Sequence, residues 1–396
     1  MRTHRIHRTG QQGFGLVEVM VALVIGMLGT IVMLQLFAEH EARNRNASSA
    51  ADAQSNGVIT FYQLQSQIMK AGYGLNTAGI FNCRLTWSVA NGNAISKVVL
   101  SAPVSINPTS SNGGVSSSVI PAGDANTDTL LVMFGNGNGQ PQGNKIISSA
   151  APVYTVQMPG SFAIGDRVIS APDTAPDGCG ATDLLIDRIT NTDANTVTAA
   201  TGANGVVLYN LGPGPNGANI IHTAAVPNNG PTILAYAVRN GNLTVCDFTV
   251  NDCSLAANAT SSAVWVPLTS NIVSLRAVYW KDTSLTWNGA SSTSNQTQPT
   301  TACDWARAKG IHLAMVARSE ERDKEIVTTT ARNVAQAADA NAPTWPQNAA
   351  APLVGATGTL GPDTAVDEDW KHYRYKTLQA LIPIRNVTWM GAPTGC

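Results

Sequence analysis

A single carboxylate, Glu18, interrupts an otherwise uncharged apolar run that extends from Phe14 to Ala38. A carboxylate in lipid is costly unless a neighbouring group neutralises it. An amine within about 4–6 Å would do so and would keep the carboxylate charged. The run directly follows Gly13 and a basic stretch with the cations Arg2, Arg5 and Arg8. We therefore expect Glu18 to form a charge pair inside an apolar environment.

The six cysteines are the second set of reactive residues, and all follow the apolar run: Cys83, Cys179, Cys246, Cys253, Cys303 and Cys396. An even number on an exported segment predicts disulfides, and six cysteines allow about 15 connectivities. Cys246 and Cys253 are close enough in sequence to close a turn, so we expect that bond. Sequential bonding of the remaining four would pair Cys83 with Cys179 and Cys303 with Cys396. A zinc site would need CxxC pairs or nearby histidines, and the sequence has neither.

No other motif in the sequence predicts catalysis or metal binding. The segment from Asp124 to Asp128 opens like a calcium loop. Such a loop needs glycine at its sixth position and glutamate at its twelfth, where this chain has Thr129 and Gly135. The nucleophile-elbow, zinc-protease and phosphate-loop motifs are also missing. We expect a turn at this segment, and we expect no enzymatic activity, no cofactor and no metal.

The composition limits the possible functions further. Charged residues make up 12 % of the 396 residues, hydrophobic residues 44 %, and the net charge is −1. A nucleic-acid-binding protein that uses a basic face needs clustered Lys and Arg, so this class is excluded. The apolar content can build a core, which argues against an intrinsically disordered chain.

The apolar run is long enough to cross a membrane of about 30 Å as a helix. Its basic flank predicts that the N-terminus stays in the cytoplasm while the rest is exported. A cleaved secretory signal has a shorter apolar core, of about 7–15 residues, and a small-residue cleavage site after it. A plain signal anchor would fit the length but leaves Glu18 unexplained.

The segment Gly13-Phe14-Gly15-Leu16-Val17-Glu18, followed by about twenty apolar residues, resembles the class III signal of type IV prepilins and type II secretion pseudopilins. The resemblance implies that a prepilin peptidase removes residues 1–13 as a leader peptide by cutting between Gly13 and Phe14. It also implies that Phe14 becomes N-methylphenylalanine. Glu18 is then the fifth mature residue, and the resemblance implies that it docks onto the amine of a neighbouring subunit.

The helical pattern continues beyond the apolar run. Apolar or small residues recur at helical spacing at Ala47, Ala51, Val58, Phe61, Leu64 and Ile68. This spacing predicts one helix from Phe14 to Lys70, about 85 Å long, that Gly72 or Gly74 ends. Residues 14–38 would form its transmembrane or filament-core part, and residues 39–72 an amphipathic continuation. The stripe from Val58 to Ile68 would pack on a sheet.

The sequence pattern of residues 73–396 predicts a β-rich extracytoplasmic domain. Short apolar runs between turn residues favour antiparallel strands at Lys97–Ser101, Thr129–Phe134, Val153–Met158, Asp166–Ser170, Asp183–Ile189, Gly205–Tyr209, Thr232–Val238, Leu243–Val250, Ile272–Tyr279, Ile311–Ala317 and Leu378–Ile384. Residues 333–368 form a weakly patterned insertion, either flexible or a partner contact. The predicted class is therefore α+β and pilin-like, with one long helix packed on an antiparallel sheet.

Several segments, taken in order from the end of the helix onward, resemble the PilW-type minor pilins. They are Ile68–Gly74, Gly165–Ser170, Tyr236–Leu243, Ile272–Tyr279 and Ile382–Asn386. The resemblance implies a minor pilin that takes part in pilus assembly or priming at the tip, and so in twitching motility and adhesion. The implied partners are other minor pilins, the major pilin, the prepilin peptidase, the inner-membrane assembly platform and a large tip adhesin. The implied location is the bacterial inner membrane before assembly and the pilus surface afterwards.

Two alternatives remain open at the level of the sequence. J-type pseudopilins of type II secretion systems share the layout from Ser274 to Tyr279 and a following tryptophan, here Trp287. A tip adhesin that binds a surface ligand through its loops is the other alternative. Membrane insertion and an N-terminal signal are common to all three functions.

Overall fold

The structure is a computed structural model. It describes residues 15–75, 79–87, 97–108, 120–124, 127–137, 143–171, 183–213, 231–249, 251–282, 298–325 and 372–391, with short pieces at 77, 111–112, 115–116, 176, 179, 291–293, 393 and 395–396. Gly13, Phe14, Trp287 and the 333–368 insertion lie outside the described residues. The predictions made for them stay predictions.

One helix, α1, spans Leu16–Lys70 and contains 55 residues, so it is about 82 Å long. It has no proline, the residue that most strongly breaks a helix. At its end the Ala71 amide donates to the carbonyl of Ile68. Gly72 has a φ of +81°, and its amide donates to the carbonyl of Met133 at 2.8 Å. The glycine thus lets the chain leave the helix and ties the helix end to the strand that contains Met133.

The C-terminal part of α1 packs on the globular domain. Its buried positions are Gly57, Thr60, Phe61, Leu64 and Ile68. The predicted stripe was wrong at Val58, which is 46 % exposed. A Cβ on Gly57 would lie 3.2 Å from the Cβ of Ala317, so the bare glycine lets the helix approach a strand closely there. Val58, one residue further on, is rotated by about 100° and faces away from that contact.

The strands form four sheets. In chain order they are β1 Arg84–Trp87, β2 Lys97–Leu100, β3 Val104–Ile106, β4 Ser111–Asn112, β5 Val115–Ser116, β6 Leu130–Phe134, β7 Asn144–Ala150, β8 Val153–Val156, β9 Asp166–Ala171, β10 Leu184–Thr192, β11 Thr196–Ala199, β12 Val207–Pro213, β13 Thr232–Arg239, β14 Asn242–Asp247, β15 Val266–Thr269, β16 Ile272–Asp282, β17 Ser291–Thr293, β18 Ala308–Arg318 and β19 Tyr375–Pro383. Two short helices accompany the last strands. The helix α2, Ala302–Arg307, precedes β18, and α3, Arg385–Met390, follows β19. Each predicted strand overlaps an observed one, so the sheet-rich domain is confirmed.

A five-stranded sheet of order β15-β14-β13-β6-β3 lies at the centre of the domain. Alternate residues of β6 face two different cores: Leu130 and Val132 contact the core under α1, whereas Leu131 and Met133 contact a second core on the other side. A strand covered on both faces needs a continuous apolar run, which β6 has. The sheet of order β17-β16-β18-β19 completes the core under α1.

A six-stranded barrel packs against the second core. Its order is β11-β8-β7-β12-β9-β10, and the pairing of β10 with β11 closes it. Tyr154, Phe162, Ile189 and Leu208 fill its interior. Beyond the barrel β10 also pairs with β1, and this pair is parallel. The prediction of purely antiparallel strands is therefore wrong at β1, whose partner follows it by a long crossover through the intervening strands.

The cysteines form three disulfides: Cys83–Cys179, Cys246–Cys253 and Cys303–Cys396. These are the pairs that sequential bonding gives. Cys246–Cys253 closes the turn after β14, and Cys303–Cys396 ties the C-terminus to α2. Cys83–Cys179 joins the residue before β1 to the segment before β10, so it lies beside the parallel pair.

The Cys83–Cys179 bond is expected to stabilise the domain more than the Cys246–Cys253 bond. The two bonds span 96 and 7 residues. By loop-closure entropy they contribute about 4.7 and about 2.5 kcal/mol. Urea unfolding of the full chain in detergent, with both cysteines of a pair changed to serine, should show about 2 kcal/mol greater loss for Cys83/Cys179. An equal loss in the two variants would contradict this ranking.

Candidate functional site

The first half of α1 is exposed along the part whose side chains the structure describes. The apolar span runs from Leu16 to Glu41, has a mean hydropathy of 2.4, and is entirely unburied. Its large apolar side chains are between 42 % and 76 % exposed. Soluble monomers rarely expose a contiguous apolar surface of this size to water, so the span needs lipid or other helices around it.

Glu18 lies in the first turn of this helix. Gly15 is the N-cap, and the Glu18 amide donates to the Gly15 carbonyl at 2.9 Å. The side chain of Glu18 is exposed, and the N-cap glycine has no side chain that could accept a first-turn amide. A carboxylate is favoured at this end because the unpaired amides of the first turn carry partial positive charge. Glu18 is thus placed where a neighbour can approach it.

Small residues follow Glu18 on the same face of the helix. Ala22, Gly26 and Thr30 succeed it at steps of four residues, and together they line a shallow groove on the helix surface. A Cβ built on Gly26 meets nothing within 4 Å. The Thr30 hydroxyl donates to the Met27 carbonyl at 2.8 Å, so it is satisfied without water. Small residues at this spacing let a second helix approach closely in an apolar environment.

We name these four residues, Glu18, Ala22, Gly26 and Thr30, the docking face. The sequence reasoning found Glu18 but missed the other three. Their four-residue spacing was the signal available in the sequence. Gly13 and Phe14 lie outside the described residues, so the structure does not show their geometry relative to Glu18.

A second exposed apolar surface lies beside the globular domain. Ile59 of α1 and Leu268 of β15 are both exposed and line the same surface depression. Val266, on the same edge strand, is also exposed. This patch continues the apolar character of the helix onto the domain. It is a surface that a neighbouring subunit could cover.

The carboxylates of the segment that opens like a calcium loop, Asp124 and Asp128, accept hydrogen bonds from other parts of the protein. The Asp124 carboxylate accepts the amides of Asn240 and Gly241, at 2.9 and 2.7 Å. The Asp128 carboxylate accepts the amide of Ala277 at 2.9 Å and the side-chain amide of Asn107. Both acids therefore hold turns and strands together. Among the described residues there is no group of three or more His, Cys, Asp or Glu side chains that could hold a metal ion.

Comparison with known proteins adds one finding at the N-terminus. The family model described as the prokaryotic N-terminal methylation motif matches residues 8–34. No curated protein and no solved structure matches the chain. The matched residues include Gly13, Phe14 and the whole docking face. The prepilin-type motif predicted from the sequence is confirmed, and it supports a type IV pilin-like protein or a pseudopilin.

Proposed function

We propose that this protein is a minor pilin of the PilW type that takes part in type IV pilus assembly, at or near the tip. The observation that carries the proposal is a methylation motif joined to a bare apolar helix with Glu18 in its first turn. Such a helix can be stored in lipid and then transferred into a filament core. The protein acts by assembly, without catalytic turnover.

The size of the globular domain favours a place in the pilus that only a few copies of this subunit occupy. The barrel and the central sheet add bulk on one side of α1. Many copies of such a domain would have to pack around one filament core, whereas a tip subunit has free space above it. Its partners are other minor pilins, the major pilin and the assembly platform, and the prepilin peptidase processes it.

A deletion strain separates the pilus assignment from the J-type pseudopilin alternative. We expect the deletion to reduce surface pili and twitching while type II secretion continues. Full-length protein supplied in trans should restore both, and an epitope-tagged copy should be found in sheared filaments. Loss of secretion with normal pili would assign the protein to the secretion system. Normal pili with lost adhesion would favour the adhesin.

Filling the docking face is expected to block assembly. In Gly26→Leu the new side chain occupies the space into which a neighbouring helix would fit, so the filament fraction should fall by about tenfold, the change that about 1.4 kcal/mol produces. Leu28→Trp adds bulk on the opposite side of the helix, about 160° around from Gly26 and outside the residues that line the groove, and serves as the control. Immunoblots of sheared-filament and membrane fractions measure the effect. Equal filament levels for both variants would contradict the docking face.

A further inference from the structure

A groove of about 700 Å³ lies between the C-terminal end of α1 and the short helix α3. Met69 of α1, Phe134 of β6 and Leu234 of β13 form its apolar base. Trp389 of α3 stands at its rim and is 78 % exposed. A tryptophan this exposed beside an apolar base is typical of a surface that another molecule covers.

The walls of this groove are fixed before any partner arrives. The side-chain amide of Asn386 donates to the carbonyls of Lys70 and Ala71, both at 3.0 Å, which locks α3 onto the end of α1. The Lys309 ammonium donates to the carbonyl of Val387 at 3.1 Å and holds α3 from below. A preformed groove loses little entropy on binding.

The polar groups of the groove define what it can bind. Lys70 and Arg385 both line it, and none of its thirteen lining residues, all in the described part of the chain, is acidic. The groove therefore offers two cations and an apolar base.

An acidic peptide segment supplies both complementary groups. A carboxylate pairs with Lys70 or Arg385, and an aliphatic or aromatic side chain can lie on the base beside Trp389. Anionic lipid does not fit as well. Lys70 follows the apolar span by 29 residues, which is about 44 Å along the helix axis. Lipid headgroups at the end of the span do not reach that far.

We propose that this groove, the distal groove, binds a segment of a partner protein in which Asp or Glu stands next to an aliphatic or aromatic residue. The inference rests on the proposed function, because it places the partner on the membrane-distal side of this subunit. That is the side on which the next protein toward a pilus tip would sit.

Site-specific photocrosslinking in cells tests this inference with the full chain. The photoreactive residue p-benzoylphenylalanine replaces Trp389, and ultraviolet light should give one discrete protein adduct. Mass spectrometry should identify a partner peptide with an acidic residue close to an apolar one. The double variant Lys70→Glu/Arg385→Glu should reduce the adduct at least tenfold. Lys376→Glu, an exposed lysine on β19, is the matched control and should leave it unchanged.

Reversing the partner's acid to lysine should restore the adduct of the double variant. A missing adduct, an adduct to lipid, a crosslinked segment without an acid, or insensitivity to the double variant would each overturn the distal groove. The partner's identity tests the proposed function separately. An acidic segment of a secretion-system subunit would keep the groove and reject the pilus assignment.

Discussion

Gly13→Leu is expected to leave this protein in the membrane as an unprocessed precursor. The resemblance to class III prepilin signals implies that the peptidase cuts after Gly13, which lies within the matched residues 8–34. A residue without a side chain allows close backbone approach to an enzyme, and leucine at the same place obstructs it. Processing should fall at least tenfold. Mass spectrometry of wild-type protein should find a first peptide that begins at Phe14 and carries one methyl group.

Gly15→Ala provides the control for this experiment. Gly15 is two residues further on, its φ is −70°, and a Cβ there meets nothing within 4 Å. Alanine therefore fits the helix start without strain, and the variant should be cut normally. A wild-type chain that begins at Met1, or one that begins after Ala38, would contradict the prepilin motif as the processing signal.

The long helix could be predicted because its signals are local. An apolar run without proline, followed by residues at helical spacing up to Lys70, specifies a helix whatever packs around it. The face of its second half was less predictable. Burial there depends on Ala317, which is far along the chain and approaches at Gly57. A hydrophobicity pattern predicts that Val58 is buried and that a glycine is not. The predicted contact therefore lies one residue beyond the observed one.

The strands could be predicted individually, but their pairing could not. Runs such as β6 and β13 are rich in branched residues and bounded by turn residues, which marks them locally. Closure of the barrel depends on β10 pairing with both β9 and β11. The parallel pair of β1 and β10 depends on residues about 100 positions apart. Composition carries no signal for such contacts.

The two candidate surfaces differ in the same way. The residues of the docking face lie in one stretch of sequence. Glu18 could therefore be predicted from the sequence, and its small neighbours could have been predicted from their four-residue spacing. The distal groove combines Lys70 of α1, Leu234 of β13 and Trp389 of α3. Residues so far apart in the chain meet only after folding, so the sequence reasoning did not single them out.

Glu18→Ala is expected to impair incorporation into the filament without affecting processing. The peptidase acts on the Gly13–Phe14 bond, which is four residues from Glu18. Insertion should survive, because alanine in a membrane helix is less costly than a carboxylate by about 2–3 kcal/mol. If Glu18 docks as proposed, the substitution removes its pair with the Phe14 amine of a neighbouring subunit. An amine left unpaired in a dry filament core is strongly unfavourable.

The variant should therefore accumulate in the inner membrane as a cleaved, stable protein. Immunoblots of sheared-filament and membrane fractions should show about a tenfold fall in the filament, which corresponds to about 1.4 kcal/mol, and twitching should fall toward the deletion strain. Glu41→Ala removes a carboxylate from the other end of the span and is the matched control, because it lies 23 residues from Glu18, about 34 Å along the helix. Glu18→Gln keeps the size of the side chain but not its charge, so it should fail like alanine if pairing is the role. Wild-type filament levels of Glu18→Ala would show that this subunit docks through the small residues of its helix and not through the carboxylate.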